Sequence, residues 1–225
     1  MKFLFHILLI ILSITLNAQT SKKIEILNAD KTFANAKKYP DYWRLIGHVS
    51  FKHNNAIMHC DSAYHYTNKN KMKAFGEIKI TQGDSITLTG NNLTYFGSEN
   101  KVDIKGNVVL IDKDMKLKTN QIFYNLSSSI ASYPSTGTIV DNDKSINSKK
   151  GEYHSNTHNF IFKDSVTVVA KDYDILTDNM HYNSNSETTY FFGPSYIISN
   201  NKTIYCENGW YNTKTNISQF QERAY

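Results

Sequence analysis

Apolar and polar residues alternate along this chain in short runs. Phe75-Gly76-Glu77-Ile78-Lys79-Ile80 is one such run, and a period of two predicts a β-strand with one buried face. Strands of roughly ten residues are predicted between two recurring sets of polar turns. One set includes His53-Asn54-Asn55, Gln82-Gly83-Asp84, Asp112-Lys113-Asp114 and Asp141-Asn142-Asp143; the other includes Asn68-Lys69-Asn70, Gly97-Ser98-Glu99 and Asn183-Ser184-Asn185. Asn, Asp, Ser and Gly serve there because they bond their own backbone or accept left-handed geometry. Inside the run Ile86 to Tyr95 the apolar phase switches, and Gly90-Asn91-Asn92 is the predicted bend or bulge that returns both halves to one face.

The pattern repeats. Tyr66, Tyr95, Tyr124, Tyr153, Tyr182 and Tyr211 recur every 29 residues. With 15 Tyr in 225 residues, five further coincidences by chance have a probability of about one in a million. A second column at the same interval holds Ile46, Phe75, Ile104, Tyr133, Phe162, Phe191 and Phe220, and a third holds Leu88, Leu117, Ile146, Ile175 and Ile204, with His59 as its exception. Gly47 and Gly76 directly follow the second column. Each unit therefore predicts two strands and two turns, six units in all. The alternation leaves two orientations open for the tyrosine column, facing the interior or forming an outer cross-strand ladder.

Composition supports strands over helices, since Tyr, Thr, Ile, Val and Phe dominate after the first twenty positions. The net charge of +5 is mild for this length and gives no case for nucleic acid as a partner. Two cysteines exclude a disulfide-stapled miniprotein. The N-terminus has the form of a secretory signal peptide: Lys2, an apolar run from Phe3 to Leu16, and Ala18 at the cleavage point. The expected division is a signal peptide over residues 1–18 and one all-β domain over residues 19–225. The mature chain is expected to be exported.

Three architectures use such repeats. A parallel β-helix generally needs shorter coils, and an outer-membrane barrel needs a lipid-facing apolar band and longer outer loops. An antiparallel meander rolled along its length fits best, each strand folding over at a mid-strand glycine or bulge. Two strands advance roughly 10 Å per unit, which makes a trough about 60 Å long. The expected fold is an antiparallel β-jellyroll, open at its ends.

Cys60-Asp61-Ser62-Ala63-Tyr64-His65-Tyr66, Ala74-Phe75-Gly76-Glu77-Ile78-Lys79-Ile80 and Gln82-Gly83-Asp84-Ser85 resemble the OstA-like family of Gram-negative exported proteins, its Bacteroidetes branch above all. The likeness runs from about Ile24 to Tyr225 and is most specific between Cys60 and Asp84. It implies a periplasmic β-jellyroll whose interior carries the acyl chains of lipopolysaccharide (its lipid A part) towards the outer membrane. It also implies stacking, end to end, with other jellyroll domains or with itself. The chain stops at Tyr225, just inside a seventh unit, so either a truncated array or a partner is expected at that end.

The residue pattern alone supports part of this. A lining of Ile46, Phe75, Leu88, Ile104, Leu117, Tyr133, Ile146, Phe162, Ile175, Phe191, Ile204 and Phe220 would suit extended acyl chains. A structural or adhesive repeat protein with a closed, dry core would need the same stripe, and an interior groove distinguishes the two. Lys71, Lys73 and Lys79 are read as gatekeepers on strand edges; the other role open to them is meeting lipid phosphates at the rim. His48, His53, His59 and His65 cluster in the first unit, but a turn separates His53 from His59, so no metal site is expected. Cys60 and Cys206 lie about five units apart, too far for a disulfide. No cofactor motif and no catalytic constellation stands out, and the acidic residues read as turn chemistry. The expected class is a non-enzymatic lipid-binding protein; a glycan-active β-helix enzyme would need carboxylates converging on one face.

Overall fold

The computed structural model describes residues 23–35, 37–200 and 202–225. The export segment expected at residues 1–18 lies outside the described residues. Among the described residues every long element is a strand. In chain order they are β1 (Glu25–Asn28), β2 (Lys31–Phe33), β3 (Trp43–His53), β4 (Ala56–Tyr66), β5 (Lys71–Gln82), β6 (Ile86–Phe96), β7 (Lys101–Asp112), β8 (Met115–Asn125) and β9 (Ile130–Tyr133). They continue as β10 (Gly137–Asp141), β11 (Lys144–Ser148), β12 (Lys150–His154), β13 (Asn159–Val169), β14 (Asp174–Asn183), β15 (Thr188–Ser199), β16 (Lys202–Asn212) and β17 (Ile217–Gln221).

Successive strands pair antiparallel, as the short turns require. β9 and β10 lie end to end along β8 and act as one strand broken at Pro134-Ser135-Thr136, where proline has no N–H to give the ladder. β11 and β12 are likewise two halves of one strand along β13. β1 and β2 form one edge against β3. β17 forms the other edge against β16, extended by backbone bonds of Glu207 to Glu222 and Tyr205 to Tyr225.

Every long strand pair carries a register shift near its middle. In β5 the two residues Gly76 and Glu77 stand opposite the single Asn91 of β6. Both have left-handed backbone, with φ 74° and 38°. The pairs Gly47-His48, Gly106-Asn107 and Asp164-Ser165 repeat this geometry. The sequence pattern predicts the bend at Gly90-Asn91-Asn92; the structure puts the extra residue on the neighbouring strand, with Asn91 as the lone residue facing it. Gly76 is needed twice over: its φ is positive, and a Cβ there would lie 2.1 Å from Asp61 Oδ2.

The bulges fold each strand over, so that its two ends approach across an interior. The buried residues form one continuous core from Ile24 to Cys206. In the centre the rings of Tyr153 and Phe160 stack at 4.4 Å, and those of Phe160 and Phe162 at 5.9 Å. Tyr133 crosses the interior, its hydroxyl hydrogen-bonded to Ser148 Oγ at 2.6 Å. Gly151 leaves it room, since a Cβ there would sit 2.3 Å from the phenol oxygen. Each large apolar side chain fully buried here contributes about 1.5–3 kcal/mol. The protein is an all-β antiparallel jellyroll.

Two predicted lining positions are corrected. Ile46 is half-exposed and Phe75 is 36% exposed, with Leu45 and Ala74 buried beside them. The inward places run Leu45, Ala74, Ile104, Tyr133, Phe162 and Phe191. The step from Ala74 to Ile104 is 30 residues rather than 29, and one extra residue reverses the face of everything before it. The other strand slips in the same way: Met58, not His59, is the buried counterpart of Leu88, and His65, not Tyr66, is the buried counterpart of Tyr95.

Candidate functional site

The tyrosine column faces inward from Tyr95 onward. Tyr95, Tyr124, Tyr153 and Tyr182 are all at most 5% exposed. Each sits at the end of its strand, and its hydroxyl crosses to the opposite end of a strand about forty residues earlier. Tyr95 bonds His53 Nδ1. Tyr124 donates to Gln82 Oε1 at 2.8 Å, and Gln82 Nε2 donates in turn to the Leu126 carbonyl at 3.1 Å. Tyr153 donates to Asp112 Oδ2 at 2.8 Å. Tyr182 stands against Asp141 and accepts from Lys144 Nζ at 3.3 Å. These rungs form a seam that joins the two halves of the trough.

The seam is buried and polar at once. His53, Gln82, Asp112 and Asp141 are 2%, 8%, 5% and 6% exposed. Burial, with the Asp112 carboxylate beside it, pushes the Tyr153 phenol above its ordinary range; burial does the same to Tyr95 and Tyr182. The phenols therefore remain hydrogen-bond donors at neutral pH. A neutral rung contributes about 0.5–1.5 kcal/mol and one to a carboxylate about 1.5–3 kcal/mol, whereas a buried group stripped of its partner incurs the full desolvation cost.

The fifth rung is missing. Ala170 occupies the place held by Asp141 one unit earlier, and its methyl group accepts nothing. The Tyr211 hydroxyl turns instead to Asn216 Oδ1 at 3.0 Å within its own hairpin. Tyr173 packs edge-on against Tyr211 with centroids 6.3 Å apart, and burial raises its phenol to about 12. A cavity of about 660 Å³ opens beside them, lined by Ala170, Tyr173, Tyr182, Ile197, Ile204, Tyr211 and Phe220. Lys144, Lys171, Asp143, Asp172 and Glu187 also line it. Its lining mixes apolar and charged side chains, at the β15–β17 end of the trough.

The predicted lining divides accordingly. Leu88, Ile104, Leu117, Tyr133, Ile146, Phe162, Ile175 and Phe191 lie in the packed centre, each at most 2% exposed. Ile204, 37% exposed, and the half-buried Phe220 line the open cavity, while Ile46 and Phe75 do not face the interior. The histidines are divided between two sides: His53 and His65 are buried inside, His48 and His59 exposed outside. His48 Nδ1 pairs with Asp30 Oδ2 at 2.8 Å. Cys60 and Cys206 are both free and buried, and burial raises the Cys60 thiol to about 12. Lys71, Lys73 and Lys79 sit on β5, which is paired on both sides, so they are not on an edge strand; Lys71 Nζ lies 4.9 Å from the centre of the Phe96 ring. The acidic residues Asp112 and Asp141, expected as turn chemistry, stand with His53 and Gln82 in the seam. Their signal was one polar residue per unit at the strand end, at steps of 29 or 30 from His53 to Asp141.

Among the described residues no helix is long and apolar enough to cross a membrane. No curated protein matches the chain. Among solved structures it is similar to LptH, the LptA homologous periplasmic component of the conserved lipopolysaccharide transport device from Pseudomonas aeruginosa, at 13% identity and a TM-score of 0.27, covering 76% of this chain and 82% of that one. The family model for OstA-like proteins matches residues 21–178. With that match over most of its length, the chain belongs to the OstA-like family.

Proposed function

We propose that this chain is a non-enzymatic, periplasmic lipopolysaccharide-binding protein that contributes to outer-membrane assembly, and that it engages the lipid A acyl chains at the β15–β17 mouth of its trough. It is exported by the segment at residues 1–18, and the domain begins at residue 19. The observation that carries this reading is the cavity of about 660 Å³ with Ile197, Ile204 and Phe220 in its lining, in a chain of the OstA-like family. That volume lies within the range of ligand sites. An acyl chain seated there gains about 0.8 kcal/mol for each fully buried CH₂. Lys144 and Lys171 at the rim are the groups that would meet lipid phosphates, against the neighbouring carboxylates of Asp143, Asp172 and Glu187. Further jellyroll domains, or a second copy, pair with the exposed edges β1–β2 and β17 by strand addition.

The packed centre favours a second reading, a structural or adhesive repeat protein whose core stays dry. Photo-crosslinking separates the two. Benzoylphenylalanine at Ile204 or Phe220 is expected to crosslink lipopolysaccharide, and the same probe at the outward Phe75 is not. Absence of a lipid adduct at both mouth positions, in folded protein, would sink the lipid-binding reading and leave the dry-core one.

A further inference from the structure

We propose that the tyrosine seam is a lateral gate that opens progressively from the Ala170–Tyr211 end, with the absent fifth rung setting where opening begins. The identity of the guest rests on the lipid-binding reading above; the opening itself does not.

Rungs that join strand ends about forty residues apart hold the two halves of the trough together. Tyr95–His53, Tyr124–Gln82 and Tyr153–Asp112 are closed by direct bonds between buried groups. Opening one of them in the centre leaves groups that are at most 8% exposed without their partners, and the pocket of about 320 Å³ that Gln82 and Asp112 border has about half the volume of the cavity beside Tyr182. Asp112 Oδ1 and Asp141 Oδ2 both lack a hydrogen-bond partner, so the difference between the rungs lies in what adjoins them. At the far end Ala170 offers no acceptor, Tyr211 bonds within its own hairpin, and the cavity reaches Tyr182, the last tyrosine of the seam. Once Tyr182 separates from Lys144 and Asp141, water or the head of an amphiphile can solvate the freed groups. Separation therefore starts beside the cavity and travels inward one rung at a time, as local openings do where few buried contacts oppose them. Opening in this direction would bring the packed stripe at Ile175 and Phe162 within reach of a guest that the closed centre excludes.

Hydrogen exchange followed by mass spectrometry tests this on the full mature chain without any lipid. Amides around Tyr173–Tyr182 and Tyr205–Tyr211 are expected to exchange at least tenfold faster than those around Leu88–Tyr95 and Leu117–Tyr124. Ala170→Gln supplies the acceptor that Gln82 provides to Tyr124, and is expected to slow exchange at the fast segments severalfold. Tyr182→Phe removes the last closed rung and is expected to extend fast exchange to the segment containing Tyr153. Simple fraying of the chain end would respond to neither substitution. Uniform protection along the seam, or exchange unaffected by both variants while they remain folded, overturns the gate. Uptake of cis-parinaric acid by the same proteins separates the two ideas. Rung-sensitive exchange with no fatty acid bound by any variant upholds the gate and removes the lipid-binding reading. Slower uptake by Ala170→Gln supports both.

Discussion

The centre of the trough and its β15–β17 end are built from the same strand, bulge and turn, yet one is shut and the other open. In the centre Phe160, Phe162 and Tyr153 stack on one another, and each tyrosine hydroxyl finds a buried acceptor on the opposite half. At the end Ile204 is 37% exposed, the Tyr211 hydroxyl bonds within its own hairpin while its ring packs on Tyr173, and a cavity opens beside them. The change in side chains is small: Ala170 stands where a unit earlier has Asp141. A repeat fold thus leaves a cavity where one unit omits the side chain that would bridge the seam.

The comparison can be broken most directly through packing. Phe162→Ala, in the centre, is expected to cost about 3–5 kcal/mol by leaving a cavity that its neighbours cannot fill. Phe220→Ala, at the mouth, is expected to cost under about 1 kcal/mol, because its site is already half open. Urea unfolding of both variants measures this, and equal losses would mean that the two regions are packed alike. The seam gives a smaller contrast. Tyr153→Phe leaves the Asp112 carboxylate without its donor and is expected to cost about 1–3 kcal/mol, against under about 0.5 kcal/mol for Tyr211→Phe, whose hydroxyl bonds only within its own exposed hairpin.

The smallest effect is a pH dependence at the boundary between the regions. Burial raises the Asp141 carboxyl above its ordinary 3.8, partly opposed by Lys144 and Tyr182. The folded chain therefore holds this proton more tightly than the unfolded chain does. The contribution favours folding below the unfolded value and is lost as pH rises through the raised one. Asp141→Asn is expected to be the more stable protein at neutral pH, and its advantage over the parent to shrink as pH falls towards 3.8. An advantage that grows in acid would contradict the burial of this rung.

Much of the fold was legible because strands and turns are local. Alternation of period two marked the strands, and Asn, Asp and Gly marked the turns. The 29-residue beat of tyrosines showed that one hairpin recurs. The stripe positions from Leu88 to Phe191 are buried. The first unit was misread, since a single 30-residue step before Ile104 shifts the phase and puts Phe75 outside while Ala74 takes the interior. The face of a residue depends on an exact count through every bulge, and a fixed interval hides one insertion.

The seam was not legible at all, because its partners are joined by folding and not by spacing along a strand. His53, Gln82, Asp112 and Asp141 look like ordinary turn residues until the bulges bring opposite strand ends together. The sequence by itself determined an all-β, repeating, OstA-like chain with an apolar stripe, since local backbone preference and side-chain alternation suffice for that. Only the tertiary structure decided which way the tyrosines point, that the centre is filled by its own side chains, and that the trough opens beside Ala170. Those outcomes depend on contacts between residues some forty positions apart, and a contact at that range exists only once the chain has closed on itself.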